Sequence, residues 1–299
     1  MFGMTNTGKI GIACFFTLTS CSLALAAETN ISFNVDGQKV VGTLSTIDGN
    51  PKAPVVVMFH GFSGSRDELA INGTKEGVFS RSARLLAENG YASLRIDFRG
   101  SGESEGKWPD TTFSGQIKDG IAAVDWLKAS DQVDGSKISI LGWSQGGLVG
   151  AHVASARSEV RSVTLWAPVV TPLYTYGGLL GADNLAKGLS SPAETEITAK
   201  LPWGADTVLK AAFYQEMPTT SPIAAAAHYA GPLQVIVGSK DTTVAPQPAS
   251  GQVLLNYHEG EERLDVFDTD HVFSAFTGPE VIDAHMVPAT VEWLKKFNP

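Results

Sequence analysis

Cysteine is almost absent: Cys14 and Cys21 are the only two in 299 residues. Both lie at the start of the chain, so everything after them can form no disulfide, no thiolate nucleophile and no cysteine metal site. Charge is scarce too, at 18% of residues, and the basic side is the poorer, with 22 Lys and Arg against 31 Asp and Glu. A phosphate backbone selects for a basic patch, so a net charge of −9 argues against a nucleic-acid partner. Blocks of like charge are missing and 43% of residues are hydrophobic, which excludes a disordered chain. No stretch beyond residue 25 reaches the ~18 apolar residues of a membrane-spanning helix, which excludes a polytopic membrane protein. Neither a G-x-x-x-x-G-K loop nor a G-x-G-x-x-G turn after a strand is present, so the phosphate-cradling motifs are missing as well. What remains is a globular domain large enough to bury roughly three quarters of its unfolded surface.

The beginning of the chain reads as an export signal rather than as part of that domain. Lys9 supplies a positive n-region, Ile10–Leu25 an apolar run, and Ala24-Leu25-Ala26 a small-residue cleavage site. Residues 1–26 are therefore expected to be removed, leaving a periplasmic or secreted chain from residue 27. Leu18-Thr19-Ser20-Cys21 offers a rival, a lipidated Cys21, but the following SLALAA is apolar where a lipoprotein carries a polar tether.

The rest alternates strand and helix patterns. Residues 31–47 alternate around Asp36-Gly37 and predict an antiparallel hairpin. Continuous apolar runs at Pro54–Phe59, Tyr91–Ile96, Lys137–Leu141, Val163–Trp166, Leu233–Val237 and Leu264–Phe267 predict strands, most of them buried on both faces. Helices are expected at Ser82–Asn89, around Ile117, Ile121, Val124 and Leu127, at Leu148–Ala156 and after Pro288. Such alternation predicts an α/β domain with a mostly parallel sheet and helices on both faces. Between Pro168 and Ser221 no strand is evident, and a structureless loop of that length is improbable, so this segment is expected to be an insertion with its own helices. Ser221-Pro222 then forms an N-cap and N1 pair returning the chain to the sheet.

Chemistry collects at the strand ends. G-x-S-x-G occurs at Gly142–Gly146 and at Gly102–Gly106. Only Ser144 follows a strand and precedes a helix, the context that forces a serine into a tight exposed elbow. Ser104 runs into Glu105, Gly106, Lys107 and Pro109 and is expected to be a loop serine. A serine hydroxyl needs a base and a group to orient that base. On a parallel sheet with such an elbow, the acid and then the histidine follow in the chain. His258 precedes the last strand and His285 lies near the closing helix, which leaves His271. Asp241 follows Leu233–Val237 through a turn, whereas Asp265, Asp268 and Asp270 sit too near His271 in sequence to face it across strands. Two backbone N–H groups are needed for the developing oxyanion. Gln145, after the serine, supplies one, and Phe62 in the loop His60–Gly64 after the first buried strand is the candidate for the other.

HGFSG, RIDFRGSGES (Arg95–Ser104), GWSQGG (Gly142–Gly147), GSKDTTVAP (Gly238–Pro246) and DHVFS (Asp270–Ser274) together resemble the α/β-hydrolase superfamily, and within it the bacterial feruloyl/cinnamoyl esterases. The resemblance implies a serine carboxylesterase without metal or cofactor, acting on a small-molecule ester of an aryl or short-chain acid such as a hydroxycinnamate. It implies that Asp97 and Arg99 organise a loop near the site. It also makes Val169–Tyr229 a substrate-binding cap, with Trp203 and Tyr214 as binding aromatics and the Tyr214 hydroxyl placed for a phenolic group. Trp143 stands where those enzymes carry a histidine, and Thr171–Gly178 has no acidic residue. A serine peptidase or lipase-like hydrolase of the same fold is the nearest alternative, and a non-catalytic binding module a more distant one.

Overall fold

The computed structural model describes residues 1–4 and 26–299. Residues 5–25 of the expected signal segment, Cys14 and Cys21 among them, lie outside the described residues. Among those described, no helix is long and apolar enough to cross a membrane.

The apolar runs become the centre of an eight-stranded sheet. Its strands are β1 (Ala26–Val35), β2 (Gln38–Ile47), β3 (Val55–Phe59), β4 (Ala92–Asp97), β5 (Ile138–Trp143), β6 (Ser162–Trp166), β9 (Leu233–Gly238) and β10 (Glu262–Phe267). They lie in the order β1-β2-β4-β3-β5-β6-β9-β10. β1 and β2 form the antiparallel hairpin expected around Asp36-Gly37, and β2 also runs antiparallel to β4; the other pairs are parallel. Alternation along a strand explains why these runs are apolar throughout. In β3, Val55, Val57 and Phe59 enter the core on one face, while Val56 and Met58 enter the core on the other.

Helices α2 (Phe113–Ala129), α3 (Gln145–Ala156), α7 (Pro222–His228) and α8 (Ala249–Leu255) join the first core, and α1 (Val78–Glu88) and α9 (Val287–Phe297) the second. Helix α8 has no expectation from the sequence, because its seven residues span too few turns to show an apolar stripe. Ser221 caps α7 as expected, its hydroxyl accepting from the Ala224 N–H.

The insertion does carry helices, α4 (Pro172–Leu180), α5 (Ala182–Ser190) and α6 (Ala211–Glu216). It also holds a hairpin that the sequence did not suggest, β7 (Glu196–Lys200) with β8 (Asp206–Lys210). These strands alternate buried and exposed residues, with Ile197, Ala199 and Leu209 inward among Glu, Thr and Lys, so no apolar run marks them.

Candidate active site

The chain turns from β5 into α3 at a single residue, Ser144. Ser144 has φ 55° and ψ −115°, a conformation an L-residue holds only when its surroundings impose it. Gly142 and Gly146 make the turn possible: a Cβ on Gly146 would run into the Phe59 carbonyl, and one on Gly142 into the carbonyl of Gly146.

Two other strand ends meet this serine. His271, four residues beyond β10, places Nε2 3.1 Å from Ser144 Oγ. Its Nδ1 lies 2.7 Å from Asp241 Oδ2 in the turn after β9. A carboxylate only accepts, so Nδ1 carries the proton and Nε2 is left to accept from the serine hydroxyl. Asp241 is fixed in turn, Oδ1 accepting from the Thr243 and Val244 N–H groups at 2.8 and 2.9 Å. The structure thus brings together the three residues singled out by chain order.

Asp270 apart, which stays beside His271 with Oδ1 accepting from the Ser274 N–H, the rejected candidates are occupied elsewhere. Ser104 Oγ donates to the Asp97 carbonyl and accepts from Val41 N–H. His258 bonds the Gly231 carbonyl at the opposite end of β9, and His285 stacks on Phe267. Asp265 is held by Gln234 and Arg263, and Asp268 by Lys240. Asp97 accepts from Arg66 and from the Glu103 N–H, while Arg99 grips Asp119, so both tie loops together.

Phe62 and Gln145 N–H groups find no acceptor among the described residues. Two residues not anticipated from sequence orient the Phe62 group. Buried His60 accepts the Phe98 N–H at Nε2, which leaves the proton on Nδ1, and that N–H donates to the Gly61 carbonyl at 2.8 Å. In a trans peptide C=O and N–H point oppositely, so fixing the Gly61 carbonyl fixes the Phe62 N–H in the other direction. Burial pushes His60 down to about 4, so it stays neutral and keeps this tautomer. On the other side of Gly61, its N–H donates to the Glu68 carboxyl, which burial pushes up to about 8.

Gln145 is held by its side chain. Nε2 donates to Gln116 Oε1 at 2.6 Å, and Oε1 accepts from the Tyr176 hydroxyl of α4. The Tyr176 ring also meets Phe62 edge-on at 5.4 Å. One residue of the insertion therefore touches both side chains whose backbone N–H groups stand free. Only a fold brings Tyr176, Gln116, His60 and Glu68 to this point; in sequence, His60 was marked merely as part of the loop.

A cavity of about 440 Å³ opens over Ser144 and His271, walled by Phe62, Leu179, Trp203 and Phe276 among others. Trp203 lines it, with 58% of its surface exposed. Tyr214 does not line it, which corrects the expectation of a substrate contact. Its ring is fully buried beneath Gly188 of α5 and beside Phe213, and its hydroxyl finds no partner among the described residues. The Phe-Tyr pair is packing for the insertion. Trp143 turns to the other face of the sheet, against Phe79 and Phe273, with its ring 6.1 Å from that of His271. Among the described residues no cluster of three or more His, Cys, Asp or Glu could hold a metal.

The chain is similar over 121 residues to an uncharacterized 31.7 kDa protein of Escherichia coli from the traX-finO intergenic region, at 31% identity. That match spans 40% of this chain and 38% of that protein, so it covers well under half of either. Acylamino-acid-releasing enzyme 2 of Oryza sativa is 24% identical over 236 residues, which is 73% of this chain and 27% of the enzyme. Among solved structures, Est1E from Butyrivibrio proteoclasticus with ferulic acid bound superposes with a TM-score of 0.69 at 24% identity, over 89% of this chain and 96% of that one. The Pyrococcus furiosus esterase Pf2001 gives 0.63 at 23%, over 92% and 94%. The family model of the alpha/beta hydrolase fold matches residues 54–207. That stretch runs from the first buried strand through the serine elbow into the insertion, and the chain belongs to the alpha/beta hydrolase fold family.

Proposed function

We propose that the protein is a serine carboxylic-ester hydrolase working through an acyl-enzyme on small aryl or short-chain acyl esters, hydroxycinnamates such as feruloyl esters included. The observation that carries this reading is the hydrogen-bonded series Ser144–His271–Asp241 beneath an open, largely apolar cavity. Ser144 Oγ attacks the ester carbonyl while His271 Nε2 takes its proton, and Asp241 holds the imidazole and stabilises its charged form. Phe62 and Gln145 N–H groups receive the oxyanion, each worth about 3 kcal/mol in the transition state. His271 protonates the departing alcohol. Water, deprotonated by His271, then attacks the acyl carbonyl; the bond to Oγ breaks, the proton returns to Oγ, and a carboxylic acid is left. Trp203 and Phe62 supply flat apolar walls for the acyl or aryl group. The expected export signal would place this activity in the periplasm or outside the cell.

Hydrolysis of methyl ferulate beside methyl butyrate, by the protein and by Ser144→Ala, tests the reading. Ferulate turnover abolished in the variant supports it; butyrate turnover alone keeps the mechanism and removes the aryl preference. Ester turnover undiminished in Ser144→Ala refutes the mechanism. The likeness to an acylamino-acid-releasing enzyme favours a second reading, peptidase activity on blocked peptides. Cleavage of acetyl-alanine p-nitroanilide faster than either ester would install that reading instead.

A further inference from the structure

The cavity is uneven in charge. Among the described residues its lining includes two carboxyl residues, Glu68 and Asp270, and no lysine or arginine. Glu68 is not a rim residue reaching in by accident. Its backbone sits at φ 62°, its carboxyl accepts the Gly61 N–H, and a Cβ on Gly64 would lie 2.8 Å from Oε2. The spot where a Cβ on Gly61 would stand is 3.3 Å from Glu68 Oε1 and 3.5 Å from Ser144 Cβ. The carboxyl is therefore a neighbour of the nucleophile. Asp270 is fixed by the Ser274 N–H, which donates to Oδ1 at 2.8 Å, and precedes His271.

Nearby cations are directed elsewhere. Arg66, two residues before Glu68, is bound to Asp97 and Glu103. Arg95 is bound to Asp67 and Glu28, and Lys240 to Asp268. The groups facing Glu68 are thus the Gly61 and Leu69 N–H groups, Ser144 and, across the cavity, His271 and Asp270. Glu68 itself reports this environment: burial raises it to about 8 with only backbone donors opposing.

We propose that Glu68 and Asp270 form an anion-excluding wall that confines the cavity to esters without negative charge and weakens its hold on the carboxylate product. The inference rests on the esterase reading and adds a substrate class to it: both the acyl and the alcohol portions are uncharged or cationic. It also favours release of the product, since a neutral ester enters and an anion is left beside two acidic groups.

The test compares methyl esters that differ only in carrying a carboxamide or its isosteric carboxylate, on an aryl and on an aliphatic acyl frame. A unit charge about 6 Å from a carboxylate in a partly dry site changes a rate constant roughly 100-fold. We expect kcat/KM to favour the amide by about 10-fold at pH 7 and by about 100-fold at pH 9, where Glu68 is ionised. In Glu68→Gln, which keeps an oxygen for the Gly61 N–H, the preference no longer grows with pH. In Glu68→Gln with Asp270→Asn it falls to about 2-fold. Equal turnover of amide and carboxylate by the unaltered protein, or a preference that the double variant retains, overturns the wall. Calorimetry of cinnamate and cinnamamide on Ser144→Ala reads the same property without turnover. Cinnamate bound as tightly as the amide overturns the inference whether or not the esterase reading stands, and failure to hydrolyse any ester counts only against that reading.

Discussion

Replacing His60 by asparagine separates two consequences of one buried ring. The ring is fully enclosed, accepts from Phe98 N–H and donates to the Gly61 carbonyl. An ordinary histidine takes up a proton near 6.5, but this one waits until about 4. Between those values the unfolded chain binds more protons than the folded one, so stability rises with pH across the window and is complete above 6.5. The difference of about 2.5 pH units corresponds to about 3 kcal/mol of stability lost as pH falls to 4. Urea unfolding of the protein and of His60→Asn from pH 4 to 7.5 measures it. The variant is less stable at pH 7, because two buried backbone groups lose good partners at about 1–3 kcal/mol each. Its stability also depends less steeply on pH below 6.5. Initial rates at pH 7 give the second consequence. With the imidazole contact gone the Gly61 carbonyl keeps only the Gly64 N–H at 3.1 Å, so the Phe62 N–H is aimed less firmly and kcat falls by about 10-fold, less than the ~10²–10³ lost with a whole oxyanion donor, while KM changes little. A variant with the same stability profile against pH as the parent would refute the buried neutral histidine. A variant with unaltered kcat would refute its hold on the oxyanion loop.

Three further outcomes follow from the site. Tyr176→Phe keeps the ring against Phe62 but leaves Gln145 Oε1 without its donor, so kcat should fall by about 10-fold and unfolding free energy by about 1–2 kcal/mol; unchanged kcat would mean that the Gln145 N–H does not depend on its side chain. Tyr214→Phe removes a buried hydroxyl that has no partner, so thermal unfolding should be unchanged or up to about 1 kcal/mol more favourable to the fold, with KM unaltered; a raised KM would restore Tyr214 as a substrate contact. Trp203→Ala strips one wall of the cavity at an exposed turn, so KM for aryl esters should rise by 10-fold or more, with little change in stability by circular dichroism; equal loss for aryl and short aliphatic esters would contradict an aryl contact.

The parts of the site legible in the sequence are those written locally. Strand, glycine, serine and helix succeed one another within Ile138–Ala156, and that succession alone dictates the strained elbow at Ser144. Asp241 and His271 each follow a strand directly, so position on the sheet fixes which end they occupy. The five central strands β3, β4, β5, β6 and β9 were visible because both faces of each are buried, and the edge strand β10 by its shorter apolar run. The hairpin β7–β8 was not, because its one-sided burial spreads a few apolar residues among charged ones. Tyr214 misled for a related reason: an aromatic pair in an insertion looks the same in sequence whether it faces a cavity or a core, and here Gly188 opens the space that draws the ring inward.

Glu68, His60, Gln116 and Tyr176 belong to a different category: Gln116 and Tyr176 matter only through Gln145, 29 and 31 residues away, and the grip of His60 and Glu68 on nearby Gly61 exists only once the loop is folded. Their common target is the pair of free N–H groups beside Ser144. Gly61 is held at its carbonyl by His60 and at its N–H by Glu68, and Gln145 is held by α2 through Gln116 and by the insertion through Tyr176. A backbone donor contributes to catalysis only if it is aimed before charge develops, because reorientation during the reaction would consume the gain. The polar links around Gly61 and Gln145 supply that aim from three separate segments: the loop after β3, α2 and α4. Tyr176 adds a constraint the others do not: it spans the hydroxyl link to Gln145 and the ring contact with Phe62. Displacing α4 would therefore disturb both residues at once, which ties the position of the insertion to that of the two N–H groups proposed to receive the oxyanion.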